Sequence, residues 1–319
     1  LEELPRLTSA LGGPRLWIKR DDQTGLALGG NKARKLEFLL GDARAQQADT
    51  LITLGAAQSN HCRQTAAAAA CAGLNCELIL NGHAPETPTG NLLLDELLGA
   101  KLHWVERSQR AAKSQELTES LRRAGRRPYL IPVGGSNAVG TAGYAAAMLE
   151  LAEQLKTRPI SIDYLVVASS SGGTQAGMVV GAKAAGFTGQ ILGISIDRDL
   201  PDDGPYEEEL AELANQTARR IGENSRFAAK DFNVVRGYMG GGYGVVGELE
   251  RNAIRILARE QGILLDPVYA GRAFGAMLDL IAKKRFKPTD NVLFWHTGGT
   301  PALFAYEKGS LTSQPSNCP

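Results

Sequence analysis

The chain has 319 residues, enough for one large or two medium domains at about 100–200 residues each. With 43% hydrophobic and 22% charged residues it has the make-up of a globular protein, which excludes a disordered chain or a charge-rich coiled coil. Lys and Arg (35) balance Asp and Glu (34) to a net charge of +1, so there is no basic footprint for nucleic acid or an anionic membrane, and the expected partner is a small molecule.

In chain order, short β-rich runs alternate with segments of helical period, the pattern of parallel sheets covered by helices on both sides, class α/β. The first predicted strand is Leu16 to Lys19. It is followed by Gly29-Gly30-Asn31-Lys32 and a helix whose apolar face is Leu36, Leu39, Leu40 and Ala43. The strand Thr50 to Leu54 leads into Gln58-Ser59-Asn60-His61 and an alanine-rich helix that includes Ala66 to Ala70. Strands at Glu77 to Leu80, Leu102 to Val105 and Tyr129 to Ile131 precede Gly134-Gly135-Ser136-Asn137, where a soft domain boundary is expected. A helix with Ala142, Ala145, Ala146 and Leu149 on one face leads to the strand Tyr164 to Ala168. That strand runs directly into Ser169-Ser170-Ser171-Gly172-Gly173-Thr174-Gln175-Ala176-Gly177, and strands at Ile191 to Ile196 and Val292 to Trp295 complete the series.

Cys62, Cys71, Cys76 and Cys318 form no CxxC pair and no zinc spacing, and are expected to be buried reduced thiols. No apolar run approaches the roughly 20 residues of a membrane helix, and the start, LEELPRLTSALGG, lacks a signal-peptide core. The expected compartment is the cytoplasm. There is no initiator Met, so the N-terminus is expected to be processed or left out of the sequence.

Glycine, 37 of 319 residues, exceeds its usual share of roughly 7% and clusters where strands run into helices. In a parallel sheet that is where ligands bind. After Tyr164 to Ala168, Gly172 and Gly173 let backbone N–H groups converge at a helix start, with the Ser171 and Thr174 hydroxyls beside them, which suits a phosphate. The segment is neither a Walker loop, which needs a Lys after the glycines, nor a GxGxxG loop, although Asp197 lies near the place of a ribose-binding acid. A single phosphate monoester fits better, and a plain strand-to-helix turn is the bland alternative. Lys32, at a helix start where a cation is disfavoured, is pushed toward the neutral amine that a Schiff base needs; the alternative is an exposed lysine among Arg34 and Lys35. Ser59 and Asn60 are good helix caps, and the same N–H groups would hold a substrate carboxylate. His61 reads first as a core or rim histidine.

Five blocks taken together, GGNKARKLEF (Gly29 to Phe38), QSNHCRQTAA (Gln58 to Ala67), SSGGTQAGMVVG (Ser170 to Gly181), LLDPVYAGRA (Leu264 to Ala273) and FWHTGGTPALFAY (Phe294 to Tyr306), resemble the pyridoxal-phosphate enzymes of fold type II that comprise D-cysteine desulfhydrase and 1-aminocyclopropane-1-carboxylate deaminase. The resemblance runs from about Trp17 to Tyr306. It implies a tryptophan-synthase-β-like fold with two mainly parallel sheets. A discontinuous large cofactor domain (1–34 and 141–319) and a small domain (35–140) would enclose pyridoxal 5'-phosphate in the cleft between them, and the assembly would be a homodimer. Lys32 would be the Schiff-base lysine. Ser171, Gly172, Gly173 and Thr174 would hold the phosphate, Asn60 the ring's phenolic oxygen and Thr297 the ring nitrogen. Gln58, Ser59, Asn60 and His61 would bind the substrate, with Ser59 close enough for proton transfer, and Tyr269 and Tyr243 would face its side chain.

Departures from the cyclopropane deaminases point to the reaction. Their Glu after the tyrosine of DPVY is Ala270 here, Thr297 brings a hydroxyl that they lack, and His61 replaces their Gln. A hydroxyl cannot keep the ring nitrogen protonated as a carboxylate does, and a weaker electron sink suffices when a good β-leaving group departs. β-Elimination is therefore expected, with D-cysteine foremost and L-cysteate, L-cysteine and aminocyclopropane carboxylate as alternative substrates. A catalytically inactive cofactor-binding homologue and a nucleotide-binding dehydrogenase are the rivals from other classes. Arg236 or Arg272 would serve a sulfonate if either reached the pocket.

Overall fold

The computed structural model describes residues 1–158, 160–199, 204–307 and 309–312; Cys318 lies outside them. The chain forms two sheets. In the first, β1 (Glu2–Glu3), β2 (Arg15–Arg20), β7 (Tyr164–Ser169), β8 (Gln190–Ser195), β9 (Asn233–Val235) and β10 (Asn291–His296) lie in the order β1-β2-β10-β7-β8-β9. Only the β1–β2 pair is antiparallel. In the second, β3 (Thr50–Gly55), β4 (Asn75–Asn81), β5 (Lys101–Val105) and β6 (Pro128–Leu130) are all parallel, in the order β5-β4-β3-β6. Among the described residues ten α-helices cover them: α1 (Pro5–Leu11), α2 (Asn31–Ala45), α3 (Asn60–Ala72), α4 (Gly90–Leu97), α5 (Arg110–Arg123), α6 (Ala138–Lys156), α7 (Gly173–Ala185), α8 (Tyr206–Ile221), α9 (Glu248–Gln261) and α10 (Ala270–Ala282).

All eight predicted strands are present. Those of the first sheet are apolar on both faces, as a covered parallel sheet requires. Leu16, Ile18, Val166, Ile194, Val292 and Phe294 pack beneath α9 and α10. The alternate residues Trp17, Leu165, Val167, Leu293 and Trp295 pack beneath α6 and α7. The second sheet buries Leu51, Leu78, Leu80 and Tyr129 against Leu36, Leu39 and the alanines of α3. The strands that the sequence did not mark, β1 and β9, are edge strands of two and three residues, too short to show a period.

The predicted face of α6 is wrong. Ala142 and Ala145 are buried, but Ala146 and Leu149 are exposed, and the helix instead buries Tyr144, Met148 and Leu151. The reason is close packing on both sides. A side chain at Gly143 would run into the Arg34 carbonyl of α2, and side chains at Gly177 and Gly181 of α7 would run into the Thr141 and Ala145 carbonyls. With glycine at these contacts three helices touch backbone to backbone, and α2 and α7, which begin at the two candidate ligand loops, are both seated on α6.

Cys62 and Cys76 are buried free thiols, with burial raising both pKa values, whereas Cys71 is exposed near the end of α3. Among the described residues no helix is long and apolar enough to cross a membrane, and no cluster of His, Cys, Asp and Glu could hold a metal ion.

Candidate active site

The parallel strands end together: His296 pairs with Arg20, and Ser169 with Ser195. The loops after them converge with those of the second sheet on one cavity of about 470 Å3, within the range of roughly 300–1,000 Å3 usual for small-molecule sites. Asn31, Lys32, Ser59, Asn60, His61, Ser171, Gly172, Thr174, Tyr243, Tyr269 and Thr297 line it.

Lys32 is the second residue of α2. Gly30 before it has φ +131, a conformation open to glycine, and the Asn31 N–H donates to the Thr297 carbonyl at 2.9 Å. Arg63 Nη2 (2.8 Å) and Gln64 Nε2 both donate to the Gly29 carbonyl. The turn is thus held from β10 and from α3. Lys32 Nζ donates to Asn31 Oδ1 at 3.0 Å and lies 6.0 Å from the centre of the Tyr269 ring. Burial lowers its pKa to about 8; Asp266 opposes the shift and Arg63 adds to it. The lowered pKa increases the share of unprotonated amine near neutral pH, the form that attacks an aldehyde.

The loop after β7 turns at Gly172, φ +84, where a side chain would come 2.7 Å from Leu210 Cδ2. A side chain at Gly173 would come 2.6 Å from Ser136 Oγ and 2.9 Å from Lys35 Nζ. Ser136 Oγ accepts from the Gly173 N–H at 3.2 Å and lies 2.9 Å from Ser171 Oγ. Lys35, named in the sequence only as a neighbour of Lys32, is fully buried and donates to the Gly134 carbonyl (3.0 Å) and to Ser136 Oγ (3.2 Å). No carboxylate pairs with it among the described residues. Burial, then the charge of Lys32, draws its pKa well down. Lys35 is one turn beyond Lys32, and that spacing was the available signal. The GGSN segment, expected as a boundary, supplies the bridge between this buried cation and the glycine loop. A cradle of N–H groups and hydroxyls that glycine keeps open, backed by a lysine without a counter-charge, fits a phosphate.

At the start of α3, Ser59 is both helix cap and cavity wall: its Oγ accepts from the Cys62 N–H at 3.1 Å, leaving the hydroxyl proton available. Asn60 Oδ1 accepts from Asn91 Nδ2 at 2.8 Å. Gln58 departs from expectation. Its Oε1 accepts from the Asn91 N–H (2.8 Å) and its Nε2 donates to the Thr89 carbonyl (3.0 Å), so the side chain is spent on the start of α4 and does not line the cavity. His61 does line it, but is buried with Nε2 2.8 Å from Thr53 Oγ1. The Thr53 hydroxyl also lies 2.9 Å from the Ile131 carbonyl. Burial first, then Lys32 and Lys35, keep the ring neutral.

Tyr243 and Tyr269 meet at the cavity with hydroxyls 2.5 Å apart and rings edge to face. Burial raises both pKa values, that of Tyr243 to about 12, so both hydroxyls keep their protons at neutral pH. Ala270, the place of the deaminases' Glu, is fully buried in the core and does not line the cavity. Its N–H, with those of Val268 and Tyr269, donates to the buried carboxylate of Asp266, which lies in the loop before α10 and was not singled out from sequence. Arg272 is buried against Glu250 and Arg236 pairs with Glu207, and neither lines the cavity. Two arginines not singled out from sequence, Arg107 and Arg110, do.

A lysine with a lowered pKa beside a glycine-held cluster of N–H groups and hydroxyls fits a phosphorylated aldehyde cofactor. A family profile of pyridoxal-phosphate dependent enzymes matches residues 1–298, and the chain belongs to that family, with pyridoxal 5'-phosphate as its cofactor. Among solved structures it is similar to an ACC deaminase homologue, at 37% identity and a TM-score of 0.86 over 98% of this chain and 92% of that one. It also shares the fold of a pyridoxal 5'-phosphate-dependent aspartate racemase, at 19% identity and a TM-score of 0.64 over 93% and 89% of the two chains.

Proposed function

We propose that the protein is a lyase that removes the β-substituent of a small amino acid, D-cysteine or a related β-substituted alanine, giving pyruvate, ammonium and, from cysteine, hydrosulfide. The observation that carries this reading is the surroundings of Lys32: an amine with a pKa near 8 facing two protonated tyrosines in one cavity. The cofactor, when bound, supplies the electron sink that makes the α-proton acidic. The start of α3 holds the substrate carboxylate, and Lys32 Nζ takes the α-proton, aided by the Ser59 hydroxyl. The Cβ–X bond breaks with its electron pair on X, and Tyr269 or Tyr243 holds a proton at its hydroxyl for the departing group. One water then converts the released enamine to pyruvate and ammonium. Ser171, Gly172, Gly173 and Thr174, with Lys35 behind them, would hold the phosphate, and Asn60 and Thr297 would offer hydrogen bonds to the ring.

Ring opening of aminocyclopropane carboxylate is the second reading, favoured by the likeness to the ACC deaminase homologue. Against it stand Ala270, buried away from the cavity, and Thr297, a hydroxyl where a carboxylate would strengthen the sink. With the first reading we also propose that residues 1–34 and 141–319 form one domain and 35–140 the other, and that two chains associate, which light scattering would measure.

The test is an elimination assay of the holoenzyme with D-cysteine, L-cysteine, L-cysteate, β-chloro-D-alanine and aminocyclopropane carboxylate. Pyruvate from the β-substituted alanines is expected; 2-oxobutanoate from the last substrate alone would overturn the reading in favour of the second. Lys32→Ala is expected to lose both turnover and the visible absorbance of the lysine-bound cofactor, and its keeping both would remove Lys32 from the mechanism.

A further inference from the structure

The cavity has more positive charge than the proposed reaction uses. Arg107 precedes α5 and Arg110 opens it, and both line the cavity together with Asn81 from the end of β4. Among the described residues neither guanidinium has a carboxylate partner; Arg110 Nε donates only weakly, at 3.4 Å, to the Arg107 carbonyl. Asn81 Oδ1 is buried without a hydrogen-bond partner. Burial and then the like charge of Arg107 lower the pKa of Arg110, which also feels Tyr243. Asp197, an acid on the same cavity, accepts from Ser170 at 2.9 Å and is not among the charges acting on Arg110.

A cofactor phosphate and a substrate carboxylate are two anions, and the glycine loop with Lys35 and the start of α3 already meet them. We propose that Arg107 and Arg110 form a third anion subsite that receives an oxyanion on the β-carbon of the substrate, a sulfonate, making anionic β-substituted alanines the preferred substrates. This rests on the elimination reading and narrows its substrate class. Guanidinium forks match the oxygens of a tetrahedral oxyanion, and an anion between them relieves their mutual repulsion. The chemistry also gains. As Lys32 Nζ takes the α-proton, the Cβ–S bond breaks with its electron pair on sulfur. The monoanionic sulfonate leaves as dianionic sulfite, and the charge that develops does so against the two cations. With one water consumed, the products are pyruvate, ammonium and sulfite.

The experiment compares the holoenzyme on L- and D-cysteate, O-phospho-L-serine, D-cysteine and β-chloro-D-alanine, by pyruvate release, with Arg107→Ala, Arg110→Ala and Arg110→Lys. One cysteate enantiomer is expected to have the highest kcat/KM, falling as salt is raised. The ratio of kcat/KM for cysteate to that for β-chloro-D-alanine should drop about tenfold or more in either alanine variant and recover in part in Arg110→Lys. Turnover of cysteine and chloroalanine without cysteate overturns the subsite and leaves the elimination reading standing, whereas elimination from none of them removes that reading itself. A ratio unchanged in the variants, or a loss of cofactor absorbance on titration with pyridoxal phosphate, also overturns the proposal, the latter by assigning the arginines to the cofactor. Preference for phosphoserine over both cysteates would keep the anion subsite but overturn its assignment to a sulfonate.

Discussion

Lys32 and Lys35 sit one turn apart on α2 and are tuned by the same burial, yet they face different partners: Lys32 the tyrosine pair, Lys35 the bridge of Ser136 to the glycine loop. Folding lowers the pKa of Lys35, so the folded chain binds that proton less readily than the unfolded chain does. Its burial therefore costs stability as pH falls from about 10 toward the folded-state value, a cost that an anion held at the adjacent glycine loop would offset. Lys35→Met is expected to leave the Tm of the cofactor-free protein equal or higher at pH 7.5. It should weaken pyridoxal-phosphate binding by roughly 1.5–3 kcal/mol, tenfold or more in Kd, the usual worth of a hydrogen bond to a charged group. Titration followed by the visible absorbance checks this, and an unchanged Kd would separate Lys35 from the phosphate. Residues whose place in the cavity follows from a local motif, such as Lys32, Ser59 and Gly172, were readable in sequence. Lys35, Ser136, Asp266 and Arg110 were not, because each acts on a group that folding brings from elsewhere in the chain. Gln58 failed for the converse reason: its motif neighbours reach the cavity, but its own amide is claimed by the start of α4.

At the scale of elements, the backbone contact of α6 with α2 and α7 carries the geometry of the site. A side chain at Gly181 would lie 2.5 Å from the Ala145 carbonyl oxygen and 2.8 Å from Ala145 Cα, backbone atoms that cannot swing aside. Gly181→Val is therefore expected to destabilise the protein by about 1–3 kcal/mol, seen as a lower urea midpoint at unchanged m. Because α7 opens at the phosphate loop, cofactor affinity should fall with it. A midpoint within experimental error of the parent would mean that the helices can separate without loss. The strands were legible because each alternates apolar side chains onto two covered faces. The packing of α6 was not: in an Ala- and Gly-rich helix several faces have the same apolar period, and which one is buried depends on where the neighbouring helices carry glycine.

Across the whole molecule, stability below neutrality depends on rings buried without charge. His61 and His296 are both buried, and burial is the first cause of the depressed pKa of each. A histidine with a depressed folded-state pKa stabilises the fold fully above its unfolded value near 6.5, and the contribution is lost as pH falls below that value, because the unfolded chain takes up the proton first. His61, whose pKa is drawn well down, accounts for up to about 1.4 kcal/mol of stability per pH unit in that window. His61→Gln, which keeps a hydrogen-bonding group beside Thr53, is expected to flatten the fall in unfolding free energy between pH 6.5 and 5 by about that amount per unit. Urea titrations at several pH values measure it, and a slope equal to that of the parent would mean that His61 is protonated in the folded state.

The amino-acid sequence by itself determined the α/β class, the chain order of eight of the strands, the lysine at a helix start and the glycine-rich loop after β7. It could do so because local chemistry imposes each of them: period-two burial makes a strand, and backbone N–H groups converge only where side chains are absent. The tertiary structure alone decided which charges in the cavity have partners. Arg236 and Arg272, the arginines that the sequence offered for a sulfonate, are neutralised by Glu207 and Glu250, whereas Arg107 and Arg110, in a stretch without any motif, face the cavity without a carboxylate. Charge pairing acts through space over a few ångströms, between residues up to 29 positions apart in these two pairs, and that distance is set by how the elements pack and not by the order of the residues.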